Sequence, residues 1–339
     1  MGLQISEIIN KKEIKFSDLK GKLIAVDAFN AIYQFLTSIR QPDGTPLMDS
    51  KKNITSHLSG LFYRNISLLV EGINLIYVFD GEPPELKGVT RENRRDIKDV
   101  AKERYEQAKS EEDIEAMGKY ARQNVSINEK IIKQSKELLQ AMGIAVVQAP
   151  SEGESQASYF ALNKDVYAVA SQDYDCLMFK APRLIQNLTL ARKRKTVSGY
   201  TEVFPVLIEL HDVLKELEIN QEQLICLGIL CGTDYNPKGV KGLGPKKSLK
   251  LVKEFKTKEK IFEAVANDSK YEINFDWKAV YNEIENPDVN KKAKIDFPKL
   301  DKNKIKQILL KYEFSEERID SQLAKFDDIK KEKEQRRLF

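Results

Sequence analysis

Acidic residues follow the short apolar segments of this chain, at positions where they could do chemistry. Residues 23–27 and 75–80 each run from apolar side chains directly into an aspartate. Carboxylates beside an apolar sheet are costly unless a counter-charge neutralises them. Oxygen ligands without His or Cys favour Mg²⁺ or Mn²⁺ over zinc. Five such segments supply seven candidate metal ligands, which are Asp27, Asp80, Glu152, Glu154, Asp173, Asp175 and Asp234.

A set of acids of this kind is suited to phosphoryl chemistry. Two cations roughly 4 Å apart can clamp the attacking and leaving oxygens of a phosphodiester displacement. Glu152 and Glu154 stand two residues apart, as do Asp173 and Asp175, so each pair can face the same metals. Any one of these acids could instead cap a helix. Capping does not explain seven acids that all follow strands or helices.

The elements that must position these acids alternate between strand and helix. Strand-like apolar segments at 23–28, 75–79, 144–148 and 166–170 are separated by helical patterns. This alternation predicts an α/β fold whose central twisted, mostly parallel sheet is flanked by helices. In open sheets of this class the functional crevice lies beyond the carboxyl ends of the strands. The seven acids are therefore expected along one edge of the sheet.

The distribution of charge indicates a polyanionic partner. The 339 residues are 41% hydrophobic, which supports a sizeable core, and carry a net charge of only +4. Residues 238–260, however, hold nine lysines against two glutamates, and residues 192–195 are all basic. Basic patches beside an acidic crevice suit a nucleic acid held outside and metals held inside. The alternative is a solvated lysine-rich face of a heat-adapted protein.

Two segments could hold such a partner. Residues 82–125 are charge-dense and weakly apolar, which predicts two helices that stand off the sheet above the acids; the alternative is a surface hairpin with no role. Gly239, Gly242 and Gly244 lie between two helical patterns and are followed by Lys246 and Lys247. The backbone N–H groups of such a hairpin can bind a phosphodiester without reading bases. An ordinary glycine-rich connection is the alternative.

Other classes of protein are excluded or disfavoured. No apolar run of 18 residues is present, so no membrane-spanning helix is expected. The three cysteines have no paired spacing, which indicates a reducing compartment and no zinc site. Residues 270–312 are predicted to be irregular up to a final helical pattern at 301–312, and the charged tail from 327 is predicted to be disordered.

Taken together, these residues resemble the flap endonuclease family, the structure-specific 5′ nucleases with a PIN-like core. The resemblance runs from residue 1 to about 319, and the wording of residues 233–237 is similar to the archaeal branch. It is carried by Val26-Asp-Ala-Phe-Asn, Thr55-Ser-His-Leu, Phe62-Tyr-Arg, Val78-Phe-Asp-Gly-Glu-Pro-Pro, Ala149-Pro-Ser-Glu-Gly-Glu, Gln172-Asp-Tyr-Asp-Cys-Leu, Gly232-Thr-Asp-Tyr, Gly242-Leu-Gly-Pro-Lys-Lys and Phe314-Ser-Glu-Glu-Arg-Ile.

The resemblance implies cleavage of 5′ DNA flaps where they leave the duplex, with 5′–3′ exonuclease activity, in replication and repair. It implies two Mg²⁺ ions, for which Mn²⁺ can substitute, and a K⁺ ion at a helix–hairpin–helix. One metal would be held by Asp27, Asp80, Glu152 and Glu154, and the other by Asp173, Asp175 and Asp234. A catalytically silent scaffold that binds DNA junctions on the same fold is the alternative, and a relative that prefers bubbles is a third reading. The location would be cytoplasmic on the archaeal branch and nuclear on the eukaryotic one.

Several DNA contacts are also implied. Lys87 and Arg91 would draw the scissile phosphate onto the metals, but the chain is about three residues shorter here, which makes Arg94 and Arg95 rivals to Arg91. Tyr33 would stack on a base near the cut; its alternative is a core tyrosine. Further expected contacts are the amine of Gly2 near the site, and Thr55 with Arg318 at a pocket for a one-nucleotide 3′ flap.

The expected organisation is one catalytic core over residues 1–326, followed by a charged tail over 327–339. The core contains a helical arch at about 82–125 and the helix–hairpin–helix at about 224–256. In the tail, Gln335, Leu338 and Phe339 resemble the motif that docks on a sliding clamp, although its aromatic pair is reduced to one residue. A monomer that binds DNA and no membrane is expected.

Overall fold

A central sheet organises the protein. The computed structural model describes residues 3, 5–41, 43–111, 113–196 and 199–335. Within these ranges the chain forms nine strands, which are β1 (Lys12–Glu13), β2 (Leu23–Asp27), β3 (Asn74–Phe79), β4 (Ala145–Gln148), β5 (Ala168–Ala170), β6 (Arg183–Gln186), β7 (Lys193–Thr196), β8 (Gly199–Glu202) and β9 (Val206–Glu209).

Seven of these strands form one mixed sheet in the order β1-β9-β6-β5-β2-β3-β4, and β7 pairs with β8 in a separate hairpin. The five strands from β6 to β4 are parallel to one another, whereas β9 and β1 add antiparallel pairing at one edge. The predicted mostly parallel sheet is thus confirmed. Its four predicted strands coincide with β2 to β5 to within two residues at each end, but the other strands were not predicted.

Helices cover both faces of the sheet. They are α1 (Ala28–Ser38), α2 (Ser56–Val70), α3 (Gly88–Ser110), α4 (Ile114–Gln123), α5 (Glu129–Ala141), α6 (Gly153–Leu162), α7 (Asp175–Met178), α8 (Leu210–Leu217), α9 (Gln221–Cys231), α10 (Pro245–Phe255), α11 (Lys258–Asn267), α12 (Trp277–Glu285), α13 (Lys302–Lys311) and α14 (Glu316–Gln335), with short 3₁₀ turns at Phe16–Leu19 and Glu85–Lys87.

The alternation of side chains along the strands builds two cores. Ile24 and Val26 point to one face, where α1, α2, α5, α13 and α14 contribute apolar residues. Ala25 points to the other face and packs with α6 to α12. Successive side chains of a strand point to opposite faces of the sheet. The apolar residues of β2 are therefore buried on both faces. This is why the parallel strands read as continuous apolar segments.

The charge-dense excursion after β3 forms the predicted pair of helices. α3 and α4 pack against each other. Small residues such as Ala101 and Ala108 are buried along α3, whereas Ile97 and Val100 are exposed. The pair therefore buries few large apolar side chains, which is typical of an element that stands away from the main cores.

Two predictions about the last third of the chain were wrong. Residues 270–312 contain α12 before the predicted helix α13, and Trp277 at its start stacks on Phe262 with ring centroids 4.2 Å apart. That stack anchors a segment whose prolines and short spacing had suggested irregular structure. The tail predicted to be disordered continues as α14 to Gln335, since Glu, Lys and Gln are good helix formers. No helix in the described ranges is long and apolar enough to cross a membrane.

A buried histidine makes a prediction about stability. His57, at the start of α2, is fully buried, and its Nε2 lies 3.0 Å from Oε1 of Gln134 on α5. Burial lowers the pKa of His57 from 6.5 to about 4. The unfolded chain therefore binds more protons than the folded chain between these values, and stability falls as pH drops through this window. Between pH 7 and pH 5 this single group should cost about 2 kcal/mol.

The measurement is the free energy of unfolding at the two pH values for wild type and His57→Gln. We expect the pH-dependent loss to be smaller by about 2 kcal/mol in the variant. The chain has only one other histidine, His211, which is exposed. His211→Gln is therefore the matched control and should keep the full wild-type loss. Equal pH dependence in wild type and His57→Gln would contradict the assignment.

Candidate active site

The parallel strands bring five of the seven acids to the carboxyl-terminal end of the sheet. Asp27 ends β2, Asp80 follows β3, and Asp173 follows β5, so that these three come from adjacent strands in the order β5-β2-β3. Glu152, four residues after β4, is the N-cap of α6, and Glu154 lies in the first turn of that helix. Because the carboxyl ends of parallel strands meet at one edge, residues far apart in sequence become neighbours.

The two remaining acids are positioned by helices and not by strands. Asp175 begins α7, and Asp234 lies in the turn that follows α9. The charges of the acids act on one another across the cluster. Asp27 is influenced by Asp80 and Asp173, and Asp175 by Asp234 and Asp173. The structure thus places all the acids that were expected together in one connected cluster.

Burial and mutual repulsion disfavour the charged forms of these acids. Burial, followed by the charges of Asp80 and Asp173, raises the pKa of Asp27 to about 8. Burial in the same way raises the pKa of Glu154 well above its usual range, and that of Asp175 to about 6. Each shift means that the charged form is disfavoured unless a cation is nearby. The donor set, made only of carboxylate oxygens, suits hard divalent cations.

The carboxylates are held by bonds of their own. The amide of Leu3 donates to Oδ1 of Asp175 at 2.6 Å, and the amide of Gly153 donates to Oδ1 of Asp80 at 2.7 Å. In the described part of the chain, no three His, Cys, Asp or Glu side chains are arranged so that they could hold one ion. The oxygen donors of these side chains nevertheless suit a hard cation.

Two polar residues that sequence reasoning missed orient the acids. Asn30 donates from its backbone to Oδ1 of Asp27 at 3.1 Å and from its side chain to Oδ2 of Asp173 at 3.0 Å. The hydroxyl of Ser171 donates to Oε1 of Glu154 at 2.6 Å. Asn30 stands three residues after Asp27 and Ser171 two before Asp173, so proximity to the acids was the only signal available.

Lys87 is the basic residue that the structure brings into the cluster. Its ammonium contacts Oε1 of Glu152 and lies 3.6 Å from Oδ2 of Asp234. It also lies 5.1 Å from the ring centre of Tyr235, whose phenol donates to Oε2 of Glu152. Thr90, one turn into α3, donates to the backbone carbonyl of Asp234 at 2.5 Å. The base of the α3–α4 excursion is therefore fastened beside the acids.

The neighbouring arginines are placed differently. Arg91 and Arg95 are exposed on α3, and among the described side chains no ion pair joins either of them to the seven acids. The side chain of Arg94 lies outside the described residues. The geometry thus gives Lys87 a place in the cluster but does not distinguish among the three arginines.

The glycine hairpin begins at Gly239, only five residues after Asp234. Gly239 has a φ of +54°, and a Cβ there would lie 2.5 Å from the carbonyl oxygen of Leu230, so a larger residue would clash. Gly242 has a φ of +87°, and Gly244 is the N-cap of α10. Lys246 and Lys247 are exposed in the first turn of α10. The hairpin therefore presents a helix N-terminus and two cations to the solvent.

A second basic surface, not predicted as a unit, lies beside α2. Arg64, Arg192 and Lys193 line a cavity of about 300 Å³. Arg192 pairs with Glu71 at 2.9 Å. Burial and the charge of Arg192 lower the pKa of Arg64. Three basic residues thus line the cavity, which suits a phosphate group.

The other expected contacts are more scattered. Tyr33 lies on α1 with 43% of its surface exposed, which favours a ligand contact over a core role. Thr55 is buried at the start of α2, whereas Arg318 is exposed on α14. α14 packs against α2, so these two come from neighbouring elements. Gly2, Leu338, Phe339 and the side chain of Gln335 lie outside the described residues.

Two family models match the chain, namely the XPG N-terminal domain over residues 2–101 and the XPG I-region over residues 143–234. Flap endonuclease 1 of Sulfurisphaera tokodaii is 47% identical over 338 residues, covering 97% of this chain and 96% of the relative. Flap endonuclease 1 of Pyrococcus furiosus is 49% identical over 328 residues, covering 96% of this chain and 94% of the relative.

Solved structures give the same result. Flap endonuclease-1 from Methanococcus jannaschii superimposes with a TM-score of 0.75 at 41% identity, covering 96% of this chain and 97% of that one. The catalytic core of Rad2 in complex with DNA substrate reaches a TM-score of 0.67 at 23% identity, a likeness of fold. Identity of this extent over nearly the whole length shows that the chain belongs to the flap endonuclease family, on its archaeal branch.

Proposed function

We propose that this chain is a structure-specific nuclease that cleaves 5′ DNA flaps at the junction with duplex, with 5′–3′ exonuclease activity, in replication and repair. The observation that carries the proposal is the gathering of seven acids and Lys87 in one cluster, beside the base of the α3–α4 pair. The comparisons give the alternative of a silent scaffold no support, and the complete acid set argues against it. Residues 1–326 would be the catalytic core.

Divalent cations fit the acids by charge and by donor type. Asp27, Asp80, Glu152 and Glu154 would hold one Mg²⁺, and Asp173, Asp175 and Asp234 a second, with Mn²⁺ as a substitute. When bound, the cations supply Lewis-acid activation of the attacking water and neutralise charge on the phosphate. Asn30, Ser171 and the amides of Leu3 and Gly153 orient the carboxylates that receive them.

Lys87 contributes positive charge at the base of the arch. Its ammonium already lies among carboxylates from α6 and from the turn after α9. A phosphodiester drawn to the same place would meet this ammonium, which stabilises charge that develops during displacement. Arg91, with Arg94 and Arg95 as rivals on the same helix, would assist as the strand passes beneath α3. Tyr33 would stack on a base beside the cut.

Duplex DNA would be held outside the acids by contacts to its backbone. The Gly239–Gly244 hairpin, with Lys246 and Lys247, would grip phosphates, and K⁺ is proposed there. The cavity lined by Arg64 and Arg192 would take a further phosphate. Thr55 and Arg318 would lie at the 3′ flap. Gln335, Leu338 and Phe339 would bind a sliding clamp, and the protein is proposed to act as a monomer in the cytoplasm.

The direct test is cleavage of a double-flap duplex labelled at the 5′ end of the flap. With Mg²⁺ we expect a labelled product whose length places the cut near the junction, and with excess EDTA we expect none. The same oligonucleotides without the downstream duplex are the control for structure specificity. Binding of the flap substrate without any metal-dependent product would favour the scaffold alternative and overturn the proposal.

Replacing one metal ligand should separate chemistry from binding. We expect Asp173→Asn to lower the single-turnover cleavage rate at least about 100-fold, because loss of a ligand carboxylate weakens the cation site. Affinity for the flap substrate, measured by fluorescence anisotropy in Ca²⁺, should stay within about threefold. Asp212→Asn, at an exposed position on α8, is the matched control and should cut like wild type. Wild-type cutting by Asp173→Asn would remove Asp173 from the site.

Removing the hairpin lysines should weaken DNA binding regardless of sequence. For Lys246→Ala/Lys247→Ala we expect the slope of log affinity against log salt to become shallower by about 2, because each lysine releases about one counterion. Lys294→Ala/Lys299→Ala removes the same charge from an exposed segment that packs beside Gly143, at the amino-terminal end of β4. This control should keep the wild-type slope. Equal slopes for both double variants would place the duplex elsewhere.

A further inference from the structure

We propose that Tyr235 is a positioning residue that holds Glu152 in the orientation required for cation binding. The inference rests on the proposed function only in taking Glu152 as a metal ligand. The phenol of Tyr235 donates to Oε2 of Glu152, while the ammonium of Lys87 contacts Oε1. The two oxygens of one carboxylate are therefore held by different elements, and only Tyr235 holds its oxygen without carrying a positive charge.

Glu152 needs an external partner of this kind. It is the N-cap of α6, but its side chain makes no capping bond to the helix. Nothing in its own helix therefore sets the rotation of the carboxylate. A neutral donor on Oε2 turns Oε1 towards Lys87 and Asp234 without competing with a cation for charge. Partners of this sort, which hydrogen-bond to ligand carboxylates, commonly contribute about 10-fold or more to metal affinity.

The phenol itself is held by a rigid turn. The amide of Tyr235 donates to Oγ1 of Thr233 at 3.1 Å, and that hydroxyl donates to Oδ1 of Asn236 at 2.7 Å. The side-chain amide of Asn236 donates to the carbonyl of Ile229 at 2.7 Å, which ties the turn to α9. The same turn carries Asp234. Tyr235 thereby sets the place of Glu152 relative to an acid from the other proposed metal set.

The competing reading is that Tyr235 only fills space in the core. The hydroxyl can be removed without the ring, so Tyr235→Phe separates the two readings. Tyr281 on α12 offers a matched control, because it is exposed to the same extent, 7%, and belongs to the same apolar cluster. None of the hydrogen bonds described for the seven acids comes from Tyr281. Tyr281→Phe therefore removes the hydroxyl of a buried tyrosine that is not hydrogen-bonded to Glu152.

The experiment measures Mn²⁺ binding by the full chain without DNA, from the electron paramagnetic resonance signal of free Mn²⁺. We expect Tyr235→Phe to bind Mn²⁺ about 10-fold more weakly and Tyr281→Phe to bind like wild type. In cleavage assays Tyr235→Phe should need about 10-fold more Mg²⁺ for half-maximal rate, with an unchanged KM for flap DNA. A purely structural role would instead lower the melting temperature and leave the Mg²⁺ requirement unchanged.

A double-mutant cycle keeps the inference open to refutation even if one variant is destabilised. In the Glu152→Gln background, Tyr235→Phe should cause no further loss of Mn²⁺ affinity, because its target carboxylate is gone. A further 10-fold loss there, unchanged affinity in Tyr235→Phe alone, or equal losses in the two tyrosine variants would each overturn the inference. If wild type fails to cut flap DNA while Tyr235→Phe still weakens Mn²⁺ binding, the proposed function fails and the positioning role stands.

Discussion

Repulsion among buried carboxylates is the constraint on which the rest of this structure depends. Asp27 and Asp175 are buried and Glu154 is half-buried, and each lies within the field of other acids. Without compensation, such a cluster would favour protonation or separation of the strands that carry it. In the described part of the chain, neutral groups donate hydrogen bonds to individual carboxylate oxygens, and the ammonium of Lys87 contacts the carboxylate of Glu152. Under the proposed function, cations bound among these acids would restore their charged forms and attract a phosphodiester.

The same constraint explains why so many elements converge there. Parallel strands supply acids from one direction, and the turn after α9 supplies Asp234 from another, because no single strand could carry enough carboxylates at its end. The base of the arch is bonded to that turn through Thr90. The base of the α3–α4 pair and the turn that carries Asp234 are thus joined directly.

The sequence allowed the sheet and the acid cluster to be anticipated because both depend on local patterns. Apolar strands followed by acids are visible residue by residue, and the strand-end rule predicts that they meet. Asn30 and Ser171 were missed because a short polar residue near an acid looks like any loop residue until the tertiary fold aims it. α12 was missed because its helix depends on the stacking of Trp277 on Phe262, a contact between residues 15 apart. β7 was missed because its basic run carries no strand period.

The turn between α9 and the glycine hairpin has a consequence for where a strand is cut. Asp234 and Gly239 are only five residues apart, and Val240 is bonded back to the carbonyl of Leu230 at 2.9 Å. The acid and the proposed duplex contact therefore cannot move independently. If the hairpin and the acids bind phosphates as proposed, those two phosphates lie a fixed distance apart. Under the proposed function, cut position is measured from the duplex, and a longer flap changes how much strand is released but not where the break occurs.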